Sequence, residues 1–471
     1  MRPILYTLTS PLHGEMAPDP RQEPFIRELE AALGTTFDCR GDDFTTFADD
    51  REGMTGESPA LIYIRTGGTE GLFVERVRAA GLVPGKGRVF RLLASGQSNS
   101  LAASMEILSW LQQRGLPGEI LHGSPAAIAA RIRAFADPVG APAASPAFVP
   151  GTERASFVPG SDLTEAAGSE ILRQAQDDMK QVLDDSRRIL EGKRFGVIGQ
   201  PSDWLISSGV DYTAAREQLG AELVDSPIEE LVAEARKRGP EKADFRANPA
   251  RAAGGRHEIG PIPGQPTRLK PLNEPKYGRK IDAEDWRGAL AIYEALKILV
   301  ARYRLDGLTL RCFDLLTALH NTGCLALARL NAEGVTATCE GDIPAMLSMA
   351  VARALTGRSS FQVNLSRIEG DRLLFAHCTV PLDIVRDYCY DTHFESGIGV
   401  AIHGELPEGP VTLFKISPDF RRVFRHEARR VANPYGDNLC RTQVVVEAPG
   451  AAAYFLQEPI GNHHIIVPGK L

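Results

Sequence analysis

Cysteine is scarce in this chain: seven residues among 471, an odd number with no C-x-x-C pair. That argues against a disulfide framework, gives a structural zinc knuckle little support, and fits a reducing, cytoplasmic setting. Long apolar runs are missing too. No stretch reaches the ~18 apolar residues a membrane helix needs, so no membrane association is expected. The opening MRPILYTLTSPLHG carries one Arg and a very short apolar run, and does not read as a secretory signal. Positive charge is in deficit. Lys and Arg total 53 against 60 Asp and Glu, a net charge of -7, which disfavours nonspecific binding to nucleic acid or anionic membranes. What remains is ordinary globular material: 43% hydrophobic and 24% charged residues rule out a largely disordered chain. At roughly 150 residues per domain the length allows about three domains.

The polar chemistry is unevenly placed. Every cysteine except Cys39 lies at or after Cys312, and seven of the ten histidines fall at or after His320. Upstream, strand-like runs alternate with helical patterns. LIYIRTGGTEG (61–71) and VFRLLASGQSNS (89–100) read as buried strands running into Gly- or Ser-rich loops. LAASMEILSWLQQRG (101–115) has the apolar spacing of an amphipathic helix. Residues 137–161, rich in Pro, Ala, Gly and Ser, read as a linker or surface strap, and a helix is expected over 162–191. RFGVIG (194–199) starts a second βαβ-type unit. Residues 239–282 read as a long basic loop with Arg268, Lys270 and Lys276, and 283–305 as a long helix. From about 398 the runs become short, β-rich and turn-separated, AAYFLQEP among them, the pattern of a small antiparallel barrel or sandwich. The fold class expected is α/β: two Rossmann-like domains with parallel sheets, residues 1–160 and 161–380, followed by a C-terminal antiparallel β-barrel over 381–471.

Candidate chemistry gathers in a few segments. In VTATCEGDIPAML, Pro344 suits a first helical turn and Asp342 its N-cap. Glu340 then stands at the end of a strand, where α/β sheets bind ligands. His377 closes the apolar run LLFA, as a satisfied core histidine or a metal ligand. Cys378, next along an extended chain, is expected to point the other way. His393 and Glu395 lie in THFESGIG, and His463 and His464 in GNHHII, where strand alternation admits one of the pair to a given site. A Glu with two His from separate segments makes a mixed O/N donor set for Mn²⁺ or a similar divalent ion. Trp204 is either a sugar-stacking residue or a core anchor. Arg441 either orients polar or anionic substrate groups or sits on the barrel surface.

Taken in order, QPSDWL (200–205), NSLAASMEIL (99–108), CEGDI (339–343), AHCTVP (376–381), HFESGIG (393–399), CRTQ (440–443) and GNHH (461–464) resemble segments of the fucose isomerase / arabinose isomerase family, nearest its fucose-isomerase-like branch. The resemblance implies an aldose–ketose isomerase with two α/β domains and a barrel, a Mn²⁺ (or Co²⁺) site, a small sugar substrate and a homo-oligomer, trimer or hexamer. By the same resemblance Glu340 is the first metal-binding carboxylate, His377 a ligand, and His463 or His464 the C-terminal ligand; an enediolate mechanism would also make Glu340 an acid/base. One departure stands out. Where the family places a second carboxylate, this chain has Asn364, whose amide can ligate a metal but cannot act as a base near neutral pH. Asp342, Glu395 or a metal-bound hydroxide are the candidate replacements, and a hydride shift removes the need for one. The competing functions are another metal-dependent carbohydrate enzyme of epimerase or lyase type, and a non-catalytic sugar-binding protein.

Overall fold

Short β-branched and aliphatic runs in the N-terminal part form a parallel sheet. A computed structural model describes residues 2–10, 19–42, 44, 60–81, 89–136, 184–242 and 281–471. The linker at 137–161, most of the expected 162–191 helix, and Arg268, Lys270 and Lys276 lie outside the described residues. Strands β1 (Ile4–Leu8), β2 (Asp38–Cys39), β3 (Ala60–Ile64), β4 (Phe90–Ala94) and β5 (Gly118–Leu121) pair in the order β2-β1-β3-β4-β5. All these pairings are parallel. A second parallel sheet repeats that order in miniature, β7-β6-β8-β9, from β6 (Arg194–Ile198), β7 (Glu222–Ser226), β8 (Gly307–Leu310) and β9 (Thr336–Cys339). Strand order reverses between β6 and β8, so the loops beyond their carboxyl ends diverge and leave a crevice. Trp204, Phe313 and Glu340 sit on the loops following β6, β8 and β9.

The remaining sheet is a closed antiparallel barrel in the order β10-β11-β16-β15-β14-β17. Its strands are β10 (Phe361–Glu369) and β11 (Arg372–His377), then β14 (Gly409–Ile416), β15 (Val423–Ala432), β16 (Thr442–Glu447) and β17 (His464–Pro468). Between them β12 (Asp387–Asp391) and β13 (Ala401–Glu405) form a separate hairpin-like pair. Three expectations need correction. Barrel strands begin at Phe361, upstream of the 381 expected, because β10 closes the ring against β17 and β11 pairs with β16. The GVAIHG run pairs with β12 and lies outside the barrel. Most of AAYFLQEP lies in a helix, Ala451–Gln457, as that segment's three alanines and leucine favour.

Two helices weld the layers together. Ser100–Gln113 is buried from Ser100 through Leu111, and Ile343–Thr356 is buried from Ile343 through Ala352. Apolar residues cover every face of these helices, as expected of helices enclosed on all sides. The first shares one apolar cluster with the N-terminal sheet and barrel residues such as Phe375 and Val444. The second packs between Val197 of β6 and Phe414 and Ile465 of the barrel. Each fully buried Leu, Ile or Phe in these clusters contributes about 1.5–3 kcal/mol. Among the described residues no helix is long and apolar enough to cross a membrane.

Candidate functional site

The turn after β9 is unusual backbone. Glu340 has φ +65° and Gly341 φ +68°, so two successive residues adopt left-handed conformations. For a Glu this is strained, and it persists because both sides are tied down. The Glu340 carbonyl accepts from Ser202 N at 3.1 Å, and Gly341 N donates to Leu310 O at 3.0 Å. This geometry turns the Glu340 side chain back over the carboxyl ends of the strands. Asp342 then caps the following helix, accepting from Ala345 N at 2.7 Å.

Glu340 faces two imidazoles. Its Oε1 lies 3.7 Å from His377 Nε2 and 3.3 Å from His463 Nε2. One ligand atom from each of Glu340, His377 and His463 lies within 4.8 Å of the others. Donors about 2.1 Å from a shared octahedral ion stand about 3 Å apart, so this spacing fits a coordination sphere. The far side of each ring is held. With Nε2 left as acceptor, His377 Nδ1 donates to Thr379 Oγ1 at 2.9 Å and His463 Nδ1 to Asp342 Oδ2 at 2.8 Å. Trp204 Nε1 donates to Glu340 Oε2 at 2.7 Å, and its ring meets Phe313 edge-on. The structure thus turns the Trp204 indole N–H toward the site carboxylate.

His377 Nε2, His463 Nε2 and Asn364 Oδ1 are all buried, and among the described residues none has a hydrogen-bond partner. Asn364 lines the same cleft as Glu340 and His377. Buried acceptors converging without donors are costly unless something positive sits among them. A divalent cation with mixed O/N ligands fits this set. In its absence, burial pushes Glu340 up, but the imidazoles of His463 and His377 outweigh it and hold the carboxyl well below its usual range. Burial lowers His463, and Glu340 and Asp342 more than reverse that, to about 10.

The other expected site residues separate clearly. His464 faces elsewhere: one nitrogen meets Tyr454 OH at 2.8 Å and the other Asn462 O at 2.9 Å. Of the pair, His463 is the one that faces Glu340, because neighbouring residues entering a strand project to opposite sides. Asp342 is fully buried with one oxygen capping the helix and the other on His463, so it has no oxygen to offer a substrate. Arg441 is fully buried, neither at the surface nor on the cleft wall. Its Nε donates to Thr392 O at 2.8 Å beside Asp391 at 3.4 Å, and so anchors the loop bearing His393 and Glu395. His393 lines the cleft, its Nδ1 3.0 Å from Ser396 Oγ, and burial lowers its pKa. Glu395 stands at the exposed mouth. Cys378 lines the same cleft as His377, against the expected alternation, because β11 ends at His377 and the chain turns there.

Several participants escaped the sequence reading. Asn99, from the loop after β4, reaches Glu395 at 2.9 Å. Glu106, buried in the Ser100–Gln113 helix, accepts from Ser207 N at 2.7 Å and Asn462 N at 2.8 Å, which fixes the backbone next to His463. Burial lowers the fully buried Lys415, whose charge faces Asp342 and Glu106. The signal available was a charge inside an apolar run, MEIL and LFKI. The thiols of Cys324, Cys339, Cys378 and Cys440 also line the cleft.

No known family profile matches the chain. The sulfoquinovose isomerases of Priestia aryabhattai and Priestia megaterium are 25% identical to it over 179 residues. The match spans 36% of this chain and 40% of each relative, well under half of their length. Among solved structures, an A1-type ketoreductase aligns over 72% of this chain and 78% of its own, at 16% identity and TM-score 0.22. A superposition that loose carries no argument. The similarity to proteins named as sugar isomerases is low and partial.

Proposed function

We propose that the protein is a metal-dependent sugar isomerase that interconverts an aldose and a ketose through an enediolate. One observation carries the reading: the ligand atoms of Glu340, His377 and His463, from three distant segments, lie within 4.8 Å of one another. Asn364 adds an amide oxygen on the same cleft wall. These four residues would hold Mn²⁺, or a close substitute such as Co²⁺. A cation bound there supplies the positive charge that acidifies the carbon beside the substrate carbonyl.

The chain's own residues do the positioning. Asp342 and Thr379 fix the two ring orientations, and Trp204 holds one Glu340 oxygen so that the other faces the imidazoles. Arg441 and Asp391 brace the loop that carries His393 and Glu395. A homo-oligomer, trimer or hexamer, working in the cytoplasm belongs to the same reading. The test loads the protein with Mn²⁺ and offers a panel of aldoses and deoxy sugars, with sulfoquinovose included because of the relatives' name. Ketose formation by the wild type and its loss by at least about 100-fold in Glu340→Gln is the expected result. Equal turnover in Glu340→Gln overturns it.

A further inference from the structure

An aldose–ketose isomerase that moves a proton between carbons needs a base beside the polarised carbonyl. In this chain the position expected to hold one carries Asn364. The other acidic groups nearby are already committed. Asp342 is fully buried, with both oxygens occupied by Ala345 N and His463. Glu340 accepts from Trp204 on one oxygen and faces two imidazoles with the other. Among the described residues, the cleft is lined by one further carboxylate, Glu395.

Resting on the isomerase reading above, we infer that Glu395 is the catalytic carboxylate that takes the carbon-bound proton and returns it, and that Asn99 positions it. Two loops from different sheets converge to make the arrangement. The 393–399 loop is a tight turn: His393 N donates to Ile398 O at 3.0 Å and Gly397 N to His393 O at 2.9 Å. Asp285 Oδ1 holds its end by accepting from Gly399 N at 2.8 Å. Glu395 sits near the tip. Asn99 comes from the other side, in a left-handed conformation (φ 58°) immediately before the Ser100–Gln113 helix. Its Nδ2 donates to Glu395 Oε1 at 2.9 Å, and Oε2 accepts no hydrogen bond among the described residues.

The surroundings suit a proton carrier. Among the described residues, the charged neighbours that act on Glu395 are Glu340 and Cys378, and no cation pairs with it. Burial of its inner side, with Glu340 next, raises its pKa to about 7, opposed by the Asn99 bond. Solvent at the exposed mouth moderates that rise. A carboxylate with one oxygen held by Asn99 and the other open to the cleft can both accept and give back a proton.

The step balances within the substrate. Glu395 removes the proton on C2 of the aldose. The C–H electron pair becomes the C1–C2 double bond, and the carbonyl pair moves onto O1, giving the enediolate. The C2 hydroxyl proton leaves to water at the cleft mouth, and O1 takes one from water. As the O2 lone pair forms the new carbonyl, the C1–C2 pair takes the proton from Glu395 onto C1.

The experiment uses the full chain loaded with Mn²⁺, with whichever panel sugar the wild type converts, in D₂O. The wild type is expected to place solvent deuterium on C1 of the ketose. Glu395→Gln is expected to lose about 10²- to 10⁴-fold in turnover and in deuterium incorporation. Its Mn²⁺ affinity by calorimetry stays within about tenfold of wild type, since only a screened neighbouring charge is gone. Glu395→Asp recovers part of the activity. Turnover of Glu395→Gln within about threefold of wild type overturns the inference and leaves the isomerase reading standing. So does ketose formed without solvent deuterium, the mark of a hydride shift. Loss of Mn²⁺ binding together with turnover overturns it too, by assigning Glu395 to the metal. A wild type that converts no sugar overturns both readings.

Discussion

Asp342 serves two structures at once. One oxygen caps the Ile343–Thr356 helix and the other holds the ring of His463. Asparagine is as good an N-cap as aspartate but carries no charge. Asp342→Asn is therefore expected to keep the helix while weakening Mn²⁺ binding by about 10- to 100-fold, the usual cost of losing such an outer partner. Thermal stability falls by about 1–3 kcal/mol, because the buried Lys415 loses one of its two counter-charges. Calorimetric titration beside thermal unfolding separates the two effects. Unchanged metal affinity contradicts the positioning role. At this scale the sequence reveals the members of the Glu–His cluster better than their supports. Glu340, His377 and His463 stand at strand ends or beside turns, where side chains of those types are conspicuous. The partnership of Asp342 with His463, 121 positions away, has no local signature. Nor does the burial of Arg441, which only the packing of the 391–399 loop over it decides.

The turn between β9 and its helix is the element on which the site depends. Gly341 has φ +68°, and a Cβ built there meets Gln200 O at 2.4 Å and Pro201 Cα at 2.7 Å. Both contacts are backbone, so nothing can swing aside. Gly341→Ala combines backbone strain of about 1–2 kcal/mol with a displacement of the 200–204 loop, and therefore of Trp204. The expected outcome is a folded protein with a lower melting temperature and at least about tenfold weaker Mn²⁺ binding, measured by unfolding and calorimetry. Wild-type values in both would mean that the turn does not set the position of Glu340. Elements with strong periodicity were legible from the sequence: the 283–303 helix, the parallel sheets and the β-rich C-terminal part. FQVNLSRIE and RLLFAH read as two strands joined by a turn, as found, but their place in the barrel is not legible, because they read the same whether they extend an α/β sheet or close a ring. Pairing with β17 and β16, 65 to 105 positions downstream, makes that choice. AAAYFLQ misled because a short apolar segment fits both periodicities.

On the scale of the whole molecule, the site joins parts that the chain keeps far apart. Glu340 follows the second sheet, His377 ends β11, and His463 precedes β17. Glu106 ties the N-terminal layer to the backbone beside His463, and Asn99 carries that layer to the cleft mouth. An ion held by all three segments stabilises the folded state as a unit, by about 2.7 kcal/mol at a free concentration of 100 times its dissociation constant. The most direct measurement is a Mn²⁺ titration of the chelator-stripped full chain, with wild type, His463→Gln and His464→Gln side by side. The expected result is one ion per chain for wild type and His464→Gln, a matching rise in melting temperature, and loss of both in His463→Gln. A wild type that takes up no ion, or a His463→Gln variant that binds as tightly as wild type, contradicts the metal centre and the isomerase chemistry built on it.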